Sequence, residues 1–327
     1  MNRRARPAVR DIVTVVRPLD LFGRLGPILA LAAAAGACSA GGGASGPKGF
    51  STAYAAASAD GGAGPAFHSV RGSGPGAAWA VGEQGTAVRL VGDTWTPVDT
   101  GSTATLGGLS SFSVANAFAV ELGGARVLAW NGQAWGPLGA DRAERNALAT
   151  FGLSSKQAWV VGDGIERWDG QSWTPEVASG ATYSSIFASF VTDIWAVGPG
   201  GIQHYDGKAW SPVAAPSGAG ALSGVWVSAL WDAWFVGAGG TVLHWNGTAL
   251  AALPSGTTKD LTCVTGTSAI DVWAGGQDGT LVHWNGTQFI TYTTPAGAGH
   301  TINDVWRALD TDVLIVDDTG AVTRFVP

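Results

Sequence analysis

Residues 261–292 read LTCVTGTSAIDVWAGGQDGTLVHWNGTQFITY, and this stretch decides the fold. Leu261–Thr265 predicts a first strand, a, and Val272–Gly275 a second, b. A Gln277-Asp-Gly279 turn leads to strand c, Thr280–Trp284, and Asn285-Gly286 leads to strand d, Gln288–Tyr292. Asn-Gly and Asp-Gly are the strongest two-residue hairpin signals, because both central residues of such a turn take positive φ. The c–d turn recurs at Asn131-Gly132, Asp169-Gly170, Asp206-Gly207 and Asn246-Gly247, with Gly92-Asp93 reversed in the first repeat. Just beyond the turns stand Trp95, Trp135, Trp173, Trp210, Leu250 and Phe289.

Aligned on the strand b aromatic, the chain repeats itself seven times. The anchors are Trp79, Phe118, Trp159, Trp195, Trp234, Trp273 and Leu314, spaced by 39, 41, 36, 39, 39 and 41 residues. Four short strands per repeat at this period make a propeller blade. Six fourth strands serve seven repeats, because the last repeat stops at Pro327 after its third strand. The missing strand lies at the other end, where Phe50 precedes Trp95 by 45 residues in a matching pattern through Tyr54. The expected fold is therefore all-β: a seven-bladed β-propeller closed by an N-terminal strand that completes the last blade. Such closure removes a free sheet edge.

Composition agrees. Hydrophobic residues make up 46% and charged residues 13%, too apolar for a disordered chain. The 50 Gly and 16 Trp, against 4 Tyr and 1 Met, suit tight turns between short aromatic strands. Net charge is −6, but removing the six Arg and two Asp of residues 1–37 leaves 12 basic and 22 acidic side chains, net −10. An acidic mature chain makes a poor phosphate-backbone binder, so no nucleic-acid partner is expected.

The first 24 residues are Arg-rich, and the 13 apolar residues Leu25–Ala37 follow before Cys38. Thirteen residues are too few to span a bilayer, which takes about 20. The order of basic, apolar and small residues is that of a signal peptide. Ala35-Gly36-Ala37-Cys38 resembles the bacterial lipobox, which implies lipidation of Cys38. By the same analogy Ser39, in place of Asp, implies the outer membrane, with the periplasmic or the cell-surface side left open. Residues 1–37 thus read as the signal segment, 38–48 as a Gly/Ser-rich tether and 49–327 as the propeller. The other cysteine, Cys263, sits in an apolar run and reads as a small buried hydrophobe.

The repeat, Val-Trp-Ala-Val-Gly followed by Gly-Thr-Leu-x-His-Trp-Asn-Gly, resembles bacterial BNR-type and photosystem-assembly-factor-like propellers over residues 49–327. The resemblance implies the architecture and no particular chemistry, since propellers host many activities. Of the sialidase-type Asp-box, only the Gly and the aromatic persist here, as in Asp169-Gly-Gln-Ser-Trp173.

Eight residues before each anchor stand Arg71, Ser110, Phe151, Phe187, Trp226, Thr265 and Trp306. On the innermost strand these approach the channel, and four aromatics with one Arg suit stacking on a sugar or gripping a peptide. Packing between blades is the competing reading. Trp231 breaks the repeat in the a–b loop of blade five and is the candidate exposed aromatic. Arg71, Phe151, Phe187, Trp226, Trp231 and Trp306 are accordingly the candidate ligand-binding residues.

Other chemistry is weaker. His204, His244 and His283 occupy one repeat position on strand c, too far apart to share a metal ion, and predict packing or hydrogen bonds to neighbouring blades. Asp193, Asp232, Asp271 and Asp312 precede their anchors by two residues and predict Asx caps of the a–b turn. The b–c turns carry Glu83, Glu121, Asp163, Asp278 and Asp317-Asp318 on one face, as an acidic rim or as ordinary turn residues. Arg142 and Arg145 share a loop, Asn246-Gly-Thr248 and Asn285-Gly-Thr287 are sequons placed on hairpins, and no catalytic motif is found. The expectation is a monomeric, non-enzymatic envelope lipoprotein that binds a protein or surface glycan, with no cofactor. A glycan-processing hydrolase or lyase with an axial active site is the alternative.

Overall fold

Six of the seven anchors are at most 2% exposed, and Leu314 is 5% exposed. Trp79, Trp159, Trp195, Trp234 and Trp273 are almost wholly buried, as is Phe118, and each joins a cluster with residues of the following blade. Every blade-to-blade joint has one such cluster, so the core is seven wedges, not one central mass. The computed structural model describes residues 49–56, 63–142, 146–307 and 312–327. Cys38, the signal segment and the tether lie outside the described residues.

The sheets follow the repeat. Blade one runs Phe67–Gly74, Ala77–Gly82, Ala87–Val91 and Thr94–Pro97 in spatial order. Blade six matches its expectation closely, with strands Leu261–Ser268, Asp271–Gly276, Thr280–Trp284 and Phe289–Thr293. Strands a of successive blades pack side by side, and that of blade seven (Ile302–Arg307) packs against that of blade one, closing the ring.

Closure is by the N-terminal strand, as read from the sequence. Gly49–Ala55 pairs antiparallel with Ala321–Val326, the third strand of blade seven, in the register Phe50↔Phe325. That register copies Trp95↔Leu90, Trp135↔Trp130 and Phe289↔Trp284 in other blades. The Phe50 and Phe325 rings stack at 4.4 Å.

The Gly that ends strand b has a steric cause. A Cβ at Gly82 would lie 1.9 Å from the Ala66 carbonyl oxygen, and one at Gly237 would lie 2.0 Å from that of Ala221. The chain entering each strand a crosses these positions at backbone contact, which only glycine permits.

Two expectations are refined. In blade three the segment Gln157–Trp168 holds strands b and c joined by a very tight turn at Asp163-Gly164, with the Arg167 guanidinium 5.7 Å from the Trp159 ring and Ala158 clustered with Trp168. Its first half pairs with strand a, Ala149–Ser154, and its second half with the outer strand, Trp173–Thr182, so a, b, c and d keep their order. The repeat is also shortest here: Arg167 follows its anchor by eight residues, where His244 and His283 follow theirs by ten. Second, most Asn-Gly and Asp-Gly sites are not two-residue turns. Trp168 pairs with Trp173, and Trp284 with Phe289, so the c–d loops hold four residues. Asp169 Oδ1 accepts the N–H groups of Gln171 and Ser172, both at 2.8 Å, and Asn285 Oδ1 does the same for Thr287 and Gln288. The side chain closes the loop, so only the Gly needs positive φ (Gly170 97°, Gly286 93°). Two consecutive positive φ values occur instead in b–c turns, at Asp278-Gly279 (54° and 61°) of blade six, Gln84-Gly85 (55° and 68°) of blade one and Gly239-Gly240 (63° and 73°) of blade five.

Candidate functional site

Side chains alternate along strand a, so the residues eight and nine before each anchor face opposite ways. Those at minus nine, such as Val70, Leu109 and Val305, are buried. All seven at minus eight line one axial cavity of about 310 Å³. Phe151 and Phe187 lie 4.7 Å apart between ring centroids, and Phe187 and Trp226 lie 6.5 Å apart, making an arc across blades three to five. Ser110 and Thr265 contribute hydroxyls beside them.

The two tryptophans are also packing residues. A Cβ at Gly266 would come within 2.7 Å of the Trp226 ring, and one at Gly72 within 2.5 Å of the Trp306 ring. Each indole therefore lies across the joint onto a glycine of the following blade, and Trp226 is only 6% exposed. Phe151, Phe187 and Trp306 keep intermediate exposure at the cavity wall.

Arg71 is held at this wall by its neighbour blade. Its Nη1 donates to Asp304 Oδ2 at 2.6 Å and to the carbonyls of Val70 and Val305. Asp304 Oδ2 also accepts the Ser69 hydroxyl at 2.7 Å and the Val70 N–H at 3.0 Å. Comparable pins occur at other joints: Leu109 N–H donates to Ser69 Oγ, and Val225 N–H to Ser185 Oγ, both at 3.2 Å. In each case the donor at minus nine meets a side-chain oxygen ten residues before the previous anchor. Sequence reasoning missed this polar row. Its signal was the Ser69, Ser185 and Asp304 that interrupt small or apolar residues there.

The strand b aspartates are not turn caps. Asp193 Oδ2 accepts Ser189 Oγ at 2.9 Å, while Oδ1 accepts Trp195 Nε1 at 2.9 Å and His204 Nε2 at 2.8 Å. Asp232 receives Ser228, Trp234 and His244 likewise. Asp271 receives Thr267, Trp273 and His283. Each His stacks on its own blade's Trp, with centroids 3.9–4.1 Å apart. The histidines thus bond within their own blade, not to neighbours. Burial pushes the Asp271 carboxyl up, but its bonds from His283, Thr267 and Trp273 and the nearby Arg307 charge outweigh that and hold it at about 2. Asp193 and Asp232 are lowered by the same balance. Asp312, with no His opposite, pairs with Arg324 at 2.5 Å.

The b–c acids do not converge. Asp163 accepts Asn146 Nδ2 and Thr182 Oγ1, Glu121 accepts Ser102 Oγ, and Asp278 pairs with Lys259. Asp318 pairs with His300. Arg142 forms a buried ion pair with Glu166, away from the axis; Arg145 lies outside the described residues. No carboxylate is among the described residues that line the axial cavity. Cys263 is free and buried, and burial pushes its thiol up to about 12, so it is no nucleophile at neutral pH. Trp231 is away from the cavity, 46% exposed, at φ 68° in the a–b turn of blade five.

No protein-family model and no curated protein matches the chain. Solved structures do. YCF48 bound to a D1 peptide is 16% identical with a TM-score of 0.66, covering 80% of this chain and 94% of that one. YCF48 from Cyanidioschyzon merolae is 14% identical with a TM-score of 0.68, covering 85% and 99%. The WD40 β-propeller domain of Doa1 is 13% identical with a TM-score of 0.67, covering 85% and 97%. The chain is a seven-bladed β-propeller and shares its fold with these three structures.

Proposed function

We propose that this chain is a cell-envelope lipoprotein, anchored through Cys38, whose propeller binds a segment of another protein at its axis. One observation carries the binding reading: seven side chains at one repeat position converge on a single cavity, and three of the aromatic ones, Phe151, Phe187 and Trp226, form a continuous arc. A volume of about 310 Å³ is at the small end of ligand sites, and suits an apolar side chain or a short extended segment more than a folded domain. Aromatic walls give such a segment contact area, and the serine and threonine hydroxyls give it hydrogen bonds. That a propeller of this fold is known bound to a peptide supports the reading. Anchorage rests on the sequence alone, on the lipobox-like Ala35-Gly36-Ala37-Cys38 and the tether after it. The glycan-processing alternative needs two carboxyl groups about 5–10 Å apart around the scissile bond, and the cavity wall offers none among the described residues.

The test is crosslinking capture of the native chain from envelope extracts, beside Cys38→Ala and Phe151→Ala/Phe187→Ala forms. Loss of one defined polypeptide with the Phe pair, while the fold persists by circular dichroism, supports the axial site. Capture indifferent to the Phe pair, or retention on envelope polysaccharide alone, overturns it.

A further inference from the structure

The two faces of the propeller differ in what their turns expose. Strands a and c run the same way in every blade, so the a–b and c–d turns share one face. They also touch: a Cβ at Gly247 would meet Trp231, and one at Gly286 would meet Ile270. On this face the a–b turns present Val114, Phe190, Val191, Leu230, Trp231 and Ile270, each 43–65% exposed. Val91, beside the c–d turn of blade one, adds a further exposed apolar side chain there. Among the described residues one other large hydrophobic is exposed, Ile290, on the outer strand of blade six. Four b–c turns of the opposite face carry Glu83-Gln84-Gly85, Asp163-Gly164, Gln277-Asp-Gly279 and Asp318-Thr-Gly320, the other three Leu122-Gly-Gly124, Pro199-Gly200 and Ala238-Gly-Gly240, and none of the described residues in these turns is an exposed large hydrophobic. Single exposed apolar residues are ordinary; a rim of large ones confined to one face is not.

The chain enters on the apolar side. Ala55 pairs with Ala321, next to a b–c turn, and Gly49 pairs with Val326 at the opposite end of the strand. Ten residues separate Gly49 from Cys38. An acyl anchor at Cys38, as proposed above, would thus join the propeller from the end of the strand that lies on the apolar face.

Trp231 is the most costly member of the rim. A bulky side chain at φ 68° is strained, and at the corresponding place blade one has Gly76 at φ 66°. Its backbone N–H donates to Asp193 Oδ2 of the preceding blade at 3.2 Å, which fixes the turn. Indoles favour the membrane–water boundary, where the ring is buried and the N–H stays wet.

We infer that the a–b turn rim is a membrane-seating surface, with Trp231 and its neighbours entering the interface of a lipid bilayer. The inference draws its orientation from the anchor proposed above. The surrounding c–d turns carry Asp93, Asp169 and Asp206 with Lys208, so the surface suits zwitterionic headgroups and works by apolar burial, not charge attraction.

The test uses the native chain mixed with phosphatidylcholine vesicles whose acyl chains are plain or brominated. Every other tryptophan belongs to the blades, so bromine should quench Trp231 above all. The expected result is bromine-dependent loss of emission that disappears in Trp231→Phe, falls in Val114→Ser/Leu230→Ser/Ile270→Ser, persists in Ile290→Ser and is insensitive to salt. Equal quenching in the native chain and Trp231→Phe overturns the inference, as does a rim variant that loses a protein crosslink while its vesicle signal is unchanged. Mass measurement of the Cys38 peptide separates the two claims. An acylated chain without Trp231 quenching overturns the rim and leaves the anchor. An unacylated chain overturns the anchor, and Trp231-dependent quenching would still support the rim.

Discussion

At the joint between blades five and six, Trp234 fills the wedge, stacks on His244 and hydrogen-bonds Asp232, which also holds Ser228. At the joint between blades seven and one, the anchor is Leu314, and a cleft of about 290 Å³ opens beside it, lined by Trp306, Trp95 and Ser51. There the inner strands are tied by the Arg71–Asp304 ion pair and the outer sheet by the N-terminal strand. The first joint rests on the burial of one large side chain, with polar bonds that orient it. The second has a smaller anchor with a cleft beside it, and adds an ion pair and the register of the N-terminal strand. A closed ring of repeats therefore need not be held equally everywhere: the seam where the termini meet has its own chemistry.

Deleting residues 49–55 breaks this comparison most severely. It exposes the edge of Ala321–Val326 and uncovers Phe325, and should cost about 5 kcal/mol or more of the ~5–15 kcal/mol that holds a domain. Denaturant unfolding reads it, and an unchanged midpoint would mean the added strand is dispensable. Trp234→Ala should cost about 3–5 kcal/mol by the transfer and cavity terms of a fully buried ring.

Asp304→Asn tests the seam. It removes the charge that Arg71 faces while keeping an acceptor, and should cost about 1–3 kcal/mol, less than Trp234→Ala. A loss as large as that of Trp234→Ala would show the ion pair, not the wedges, to dominate.

Acid distinguishes the regions further. The Asp271 carboxyl sits at about 2 against an ordinary 3.8, so its contribution is complete above the ordinary value and is lost as pH falls through about 2. Stability measured down this range should therefore decline, and Asp271→Asn should flatten its share of the decline. A decline identical in the variant would place the acid sensitivity elsewhere.

The blades were legible because anchor, turn and strand d recur at a fixed spacing, and one missing strand at the C-terminus matched one spare strand at the N-terminus. The minus-eight row was legible for the same reason. What stayed hidden depends on contacts through space. His204, His244 and His283 occur only where an Asp stands two residues before the anchor and a Ser or Thr six before it, a coupling visible in the letters once the contacts are known. The four-residue c–d loops were misread because Asn-Gly signals a type of turn, while the side-chain acceptor decides its length. The apolar rim falls three to four residues before its anchors, at Val114, Val191, Leu230, Trp231 and Ile270, but blade one has Pro75-Gly76 and blade three Ser155-Lys156 there, so it does not stand out as a repeat.

The most direct test of the binding reading is site-specific photocrosslinking in intact cells, with benzoylphenylalanine replacing Phe187 at the cavity or Ile290 at the outer edge. The account predicts a discrete protein adduct from position 187 and none from 290. Adducts from 290 alone, or none from 187 in a folded chain, would contradict an axial protein-binding site.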